Sequence, residues 1–448
     1  MMKNSGRLQA AAVLGAAALF LCAPRPAFAV TVFCVPDTSI DPACQTGVAS
    51  GTPNAIQGAI DEAASGDIVV VAPGTYKGDA THSPVEIPNG LSISLYGAQA
   101  GIVPSLGKRN LNSKRESIID ATGDGGSDGS AIVVRAQNVR IDGFAVTGAT
   151  TGNSSGIDLK GGTSGGGPAS GAVVVDNILE GNSTGISVNS EGFDGPVQNV
   201  LIENNLIIDN NAGSPSSSGD GLFTGGMQDV LIAGNAFQGN ETSDLGINSP
   251  NLAPNNTHDV AIVGNSSSDS ATFAIFTGTT NATVGGNDAE HLGSGKAFPG
   301  AGDSAISIGP GNSNLSIVGN RLAHGQGNLV AGIGFTALFG PGSSTGNVVS
   351  GNDVEDMPQA QIGADMATLT NSRIEQNQAK GGKLGISLAA GDTGNFVTEN
   401  TVQGSHQFGC LDSSTGGGTL GTANTWFRNV ALGKKSSPAK LCADNNGH

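Results

Sequence analysis

Four aspartates, Asp220, Asp244, Asp269 and Asp303, recur 24, 25 and 34 residues apart, each shortly ahead of an apolar run. Stacked at one strand spacing, such carboxylates repel one another by about 1 kcal/mol per neighbouring pair in water unless a cation bridges them. Calcium takes carboxylate and carbonyl oxygens from loops, so Ca2+ is the cofactor this column would hold. The segment from Ala289 to Ala305 carries His291 and Lys296, and His324 follows in the next repeat. A lysine or histidine beside a cation can take a proton from the carbon next to a carboxylate while the cation stabilises the enolate. Lys296, His291 and His324 are therefore the candidate catalytic groups. Phe223 and Phe276 stand at matching repeat positions with Asn248 between them. Two rings about 10 Å apart on one outer face would make a stacking platform. The bland readings are a solvated acidic edge, an ordinary polar loop, and a one-residue register slip that buries both rings.

All of these positions depend on the elements around them. The pattern V-x-I-x-x-N ends at Asn177, Asn204, Asn235, Asn265, Asn287, Asn320, Asn352, Asn377 and Asn400, at intervals of 22 to 33 residues. Between its occurrences runs a second motif of the form G-I-x-V, as in GIDL from Gly156, GISV from Gly185 and GISL from Gly385. Alternation over three or four residues, stopped by Asn or Gly, reads as a short strand and a tight turn. No such strand buries a face alone, whereas a stack in which each pairs with its counterpart one coil away does. Asn suits the corners because it tolerates a left-handed backbone and its amide can pair with the Asn one coil above. The column Asn153, Asn182, Asp220, Asp244, Asp269, Asp303, Asn328 then precedes an inward row of Ile157, Ile186, Leu222, Ile247, Ile275, Ile306 and Ile333.

Composition agrees with such an array. The 448 residues include 71 Gly and only 4% aromatic residues. Lys3 and Arg7 precede an apolar run that closes on Ala27-Phe28-Ala29, the layout of a secretory signal peptide over residues 1–29. Its removal moves the formal charge from −17 to −20, a surface that repels nucleic acid and anionic membranes. No later stretch is long and apolar enough for membrane insertion. The four remaining cysteines fall as local pairs, Cys34 with Cys44 and Cys410 with Cys442, expected as disulfides in an oxidising extracellular or periplasmic space.

The stretch AIQGAIDEAASGDIVVVAPGTY, from Ala55 to Tyr76, resembles the opening of right-handed parallel β-helix proteins of the pectin-lyase-like superfamily. The resemblance implies an amphipathic cap helix with Ile56, Ala59, Ile60 and Ala63 inward. SIIDATGDGG from Ser117 and NVRIDGFAVTG from Asn138 look like the next coils. The expected fold is an all-β solenoid of about eleven coils, with a helical N-terminal cap and a disulfide-bearing C-terminal cap. Residues 30–54 would form an N-terminal disulfide segment, 55–430 the β-helix domain and 431–448 the terminal cap. The family's catalytic signatures are mostly missing, and AHGQG at Ala323 is only a fragment of one. The fold hosts lyases, hydrolases, epimerases and inert surface proteins alike. The leading expectation is a secreted protein that binds, and as a lyase or epimerase would modify, an extracellular polysaccharide. The alternative is a non-enzymatic surface, adhesin or structural solenoid.

Overall fold

Strands of mostly three to five residues stack into coils, each strand completing the hydrogen bonds of the one before it. The protein, seen here as a computed structural model, is described over residues 30–444 except 37–38, 40–41, 48–54, 80–81, 124–128, 153, 163–167, 189–194, 212–218, 249–256, 294–303, 328, 338–341, 365–367 and 434. The signal-peptide expectation for 1–29, and with it Lys296 and Asp303, lies outside the described residues. Three parallel sheets of 16, 14 and 13 strands run along the stack. One coil contributes Leu201–Glu203, Leu206–Ile208 and Asp220–Thr224 to the first, second and third sheet in turn. Each pairs with the next coil in register, as in Leu201 with Leu231, Leu206 with Ala236 and Leu222 with Leu245. Among the described residues thirteen coils carry all three strands, against the eleven or so expected, because the coils before Asn177 lack the terminal Asn that marks the others.

One apolar core runs the length of the stack, from Phe33 to Cys442. The helix Ala55–Glu62 buries Ile56, Ala59 and Ile60 against its first layers, with Ala63 packed partly against them. The strand Val32–Val35 already pairs with Ile68–Val71, so the segment bearing Cys34 belongs to the solenoid. Both disulfides form, Cys34 with Cys44 and Cys410 with Cys442.

The repeat asparagines divide two tasks between neighbouring residues. Asn177, Asn205, Asn235, Asn265, Asn287, Asn320, Asn352, Asn377, Asn400 and Asn429 form a buried ladder, each Nδ2 donating to the next Oδ1 at 2.8–3.1 Å. The left-handed corner falls one residue earlier, at Asn204, Gln376 or Glu399 for example, where φ is 56–57°. The ladder therefore runs through Asn205, and Asn204 makes the bend.

Size complementarity sets the corner between the second and third sheets. A Cβ on Gly185 would sit 2.8 Å from Ile207 of the next coil, and one on Gly221 would sit 2.9 Å from Phe237. Where the next coil offers Ser267 in place of Phe237, the glycine position is filled by Asp244.

Candidate functional site

Several of the candidate groups lie on the outer face of the third sheet. As each strand leaves the corner, two consecutive residues turn inward, as Asp244 with Leu245 and Phe273 with Ala274, all fully buried. Alternation then resumes, so Asp158, Ser187, Phe223, Gly246 and Ile275 share one outward column. Asp220 opens its strand on the same face, half-buried, and its Oδ1 accepts a 2.5 Å hydrogen bond from the Ser243 hydroxyl one coil on. Phe223 rests against Gly246. A Cβ there would meet the ring at 3.2 Å and the Asp220 carboxyl carbon at 3.7 Å, so the missing side chain lets ring and carboxylate converge. At the far end of the same strands, Asn248 Oδ1 accepts a 2.5 Å hydrogen bond from the Thr277 hydroxyl.

Two coils before Phe223, in the same column, Asp158 Oδ2 meets Lys160 Nζ at 2.8 Å, their side chains 4% and 6% exposed. The hydroxyls of Ser155 and Ser187 beside them are buried without a hydrogen-bond partner among the described residues. Sequence reasoning missed this pair. Its signal was GIDLK, in which Asp158 takes the outward place of the G-I-x-V motif and Lys160 the next outward place. Arg109 with Glu116, at 2.7 Å, is a second buried pair, whereas Arg321 with Asp288 on the second sheet, also at 2.7 Å, is 43% and 59% exposed.

Burial governs the acid chemistry here. It pushes the Asp220 carboxyl up to about 6 against the opposing pull of the Ser243 hydrogen bonds. A carboxyl titrating there can give or take a proton near neutrality. Asp244 is pushed up to about 7, again mainly by burial, although Asn240, Ser267 and Ser270 all hydrogen-bond to it.

The expected metal column is therefore corrected. Asp244 lies inside the solenoid, Asp220 outside it, and Asp269 makes the left-handed turn after the strand Ser266–Ser268 of the second sheet, with φ 57°. Asp303 is outside the described residues. Among the described residues no group of three or more His, Cys, Asp or Glu could hold a metal ion. The stacking platform is corrected too. Ala274 and not Ile275 pairs with Ile306, which turns Ile275 outward and leaves Phe276 fully buried beside Ile308. The platform keeps Phe223 and Asn248 and loses Phe276. His291 and His324 do come together, rings stacked with centroids 5.6 Å apart and His324 Nδ1 3.6 Å from Asp356. They occupy left-handed turns that end two mid-stack strands of the second sheet, three and four coils beyond Asp220, and do not join its face. Lys296 lies outside the described residues.

Comparison with solved structures establishes the class: a right-handed parallel β-helix. A GH87 α-1,3-glucanase catalytic unit from Streptomyces thermodiastaticus matches with TM-score 0.54 and 15% identity, over 92% of this chain and 69% of its own. The A-module of a mannuronan C-5 epimerase from Azotobacter vinelandii matches with TM-score 0.53 and 14% identity, over 86% and 95%. The tailspike of E. coli bacteriophage HK620, solved with a pentasaccharide, matches with TM-score 0.50 and 14% identity, over 89% and 75%. At this identity the likeness is one of fold. No protein-family model matches the chain, and no characterised protein matches it in sequence.

Proposed function

We propose that the protein is a secreted polysaccharide-binding β-helix that holds its polymer along the outer face of the third sheet, at Asp220, Phe223 and Asn248. One observation carries this reading: on that face an aromatic ring, a carboxyl titrating near 6 and, two coils before them, a buried Asp158–Lys160 pair stand together. An apolar ring face with hydrogen-bonding groups around it is what recognises a pyranose. Three proteins of the same fold bear names tied to saccharides, an α-1,3-glucanase, a mannuronan epimerase and a tailspike with bound pentasaccharide, which supports the same reading. Two disulfides and the leader-like residues 1–29 support secretion.

Asp220 is the group on this face poised to move a proton, so modification of the polymer, if it occurs, would centre there. Calcium belongs to the reading as a bridge between Asp220 and an acidic polymer that supplies the remaining oxygens. The test is a glycan array on the mature protein with and without calcium, repeated for Phe223→Ala and Asp220→Asn. Binding should fall at least tenfold in Phe223→Ala. Asp220→Asn should lose the calcium-dependent part of the binding and any release of unsaturated or reducing-end products. An array blank for the wild type would return the chain to the structural or adhesive class.

A further inference from the structure

Further along the same outer face the column of side chains thins to Ser307, Gly334, Gly363 and Ser387, one per coil. Over these strands lies a pocket of about 400 Å³. Its floor is built from backbone: a Cβ on Gly334 would strike the Ser304 hydroxyl at 2.0 Å, and one on Gly363 would lie 2.6 Å from the Ser387 hydroxyl. Apolar atoms of Val330, Ala331 and Leu384 line it. Two polar groups in that lining have no hydrogen-bond partner among the described residues. Ser304 Oγ and Thr336 Oγ1 are buried, their residues 0% and 3% exposed, and neither makes a hydrogen bond to a described residue. An orphaned buried hydroxyl is costly and rare, and two facing one pocket point to a ligand that supplies the missing partners. Among the described residues no titratable side chain lines the pocket. A carboxylate or phosphate placed there would be desolvated with no counter-charge from the described residues, so the lining favours a neutral occupant.

We propose that this pocket binds a neutral sugar unit, a pyranose whose hydroxyls pair with Ser304 and Thr336 while its C–H face lies on the glycine floor. The inference rests on the polysaccharide reading above and deepens it. Ser304 stands three coils beyond Asp220, about 14 Å along the stack at one strand spacing per coil. One extended oligosaccharide could thus span Asp220, Phe223 and the pocket, and the polymer is expected to be neutral at this end.

The experiment is calorimetric titration of the mature protein with neutral gluco-oligosaccharides of two to six units, in α-1,3, α-1,4 and β-1,3 linkage. Oligogalacturonates and oligomannuronates form the acidic arm. Ser304→Ala and Thr336→Val remove the orphaned hydroxyls with little change of volume, so they should melt at or above the wild-type temperature. Each should nevertheless weaken a neutral oligosaccharide about tenfold, and the pair more. Phe223→Ala, on the separate part of the face, serves as the control for the polysaccharide reading itself. Binding that depends on Phe223 but is unmoved in the Ser304 and Thr336 variants overturns the pocket and leaves that reading intact. Binding of the acidic oligomers alone does the same. Absence of any binding overturns both.

Discussion

Asp244 occupies a position that glycine fills in the coils at Gly185 and Gly221, and it is accommodated because Ser267 replaces a phenylalanine beside it. It closes the short ladder Asn182–Asn210–Asn240, whose last amide turns to its Oδ1 at 2.8 Å. Burial raises Asp244 to about 7, and Asp220 and Asp392 each to about 6. An unfolded aspartate titrates near 3.9, so the native chain holds extra protons from about pH 4 to about pH 7. The stability these groups contribute is full below the unfolded value and falls as pH rises through the folded values. Melting temperature should drop between pH 5 and pH 8, and Asp244→Asn should remove much of that slope, on the order of 2 kcal/mol. Calorimetry of both proteins at the two pH values reads this, and a wild type that gains stability with pH would contradict it. At this scale the sequence was only half legible. Asp220 and Phe223 could be placed because Leu222 is plainly the inward residue between them. Phe276 could not, because AIFT matches the G-I-x-V motif one residue out of step with the backbone, and a slip of one exchanges inside for outside.

The strands themselves were readable from V-x-I-x-x-N, since alternation and a fixed stop encode both the pleat and the corner. What the pattern hid was which residue bends. Asn204 and Asn205 are adjacent and alike, yet one adopts φ 56° and the other joins the buried ladder. In the proposed function the third-sheet strands matter most, because their outward column alternates bulk with its absence: Phe223 over Gly246, then Ile275. Gly246→Val tests that arrangement as an element. A β-branched residue suits a strand, so melting should be unchanged or slightly raised. The added methyl groups would displace the Phe223 ring, already only 3.2 Å from a Cβ at this position, and saccharide affinity should fall about tenfold. Equal losses in melting temperature and affinity would show that the ring's position is not what binding reads.

Taken as a stack, the solenoid is vulnerable where coils run out of neighbours. At the start the helix Ala55–Glu62 covers the core. At the other end Trp426 lies across it, its Nε1 donating to Asp412 at 2.7 Å, and Cys442 ties the last turns to Cys410. The bridge closes 32 residues of sequence, and loop entropy values such a staple at about 3–4 kcal/mol. Cys442→Ser should therefore expose the C-terminal end first, with limited proteolysis trimming coils after Leu388 while the earlier coils persist; cleavage starting mid-array would refute this. The central claim is that the outer face of the third sheet is the binding face. It is tested most directly by hydrogen–deuterium exchange with and without the best oligosaccharide from the array. The account predicts protection concentrated in Asp220–Thr224, Ser243–Asn248 and Ala331–Phe335, with the strands of the first and second sheets unchanged. Protection on Leu201–Glu203 and Thr283–Gly285, or on the His291–His324 edge, with the third sheet unchanged, would contradict it.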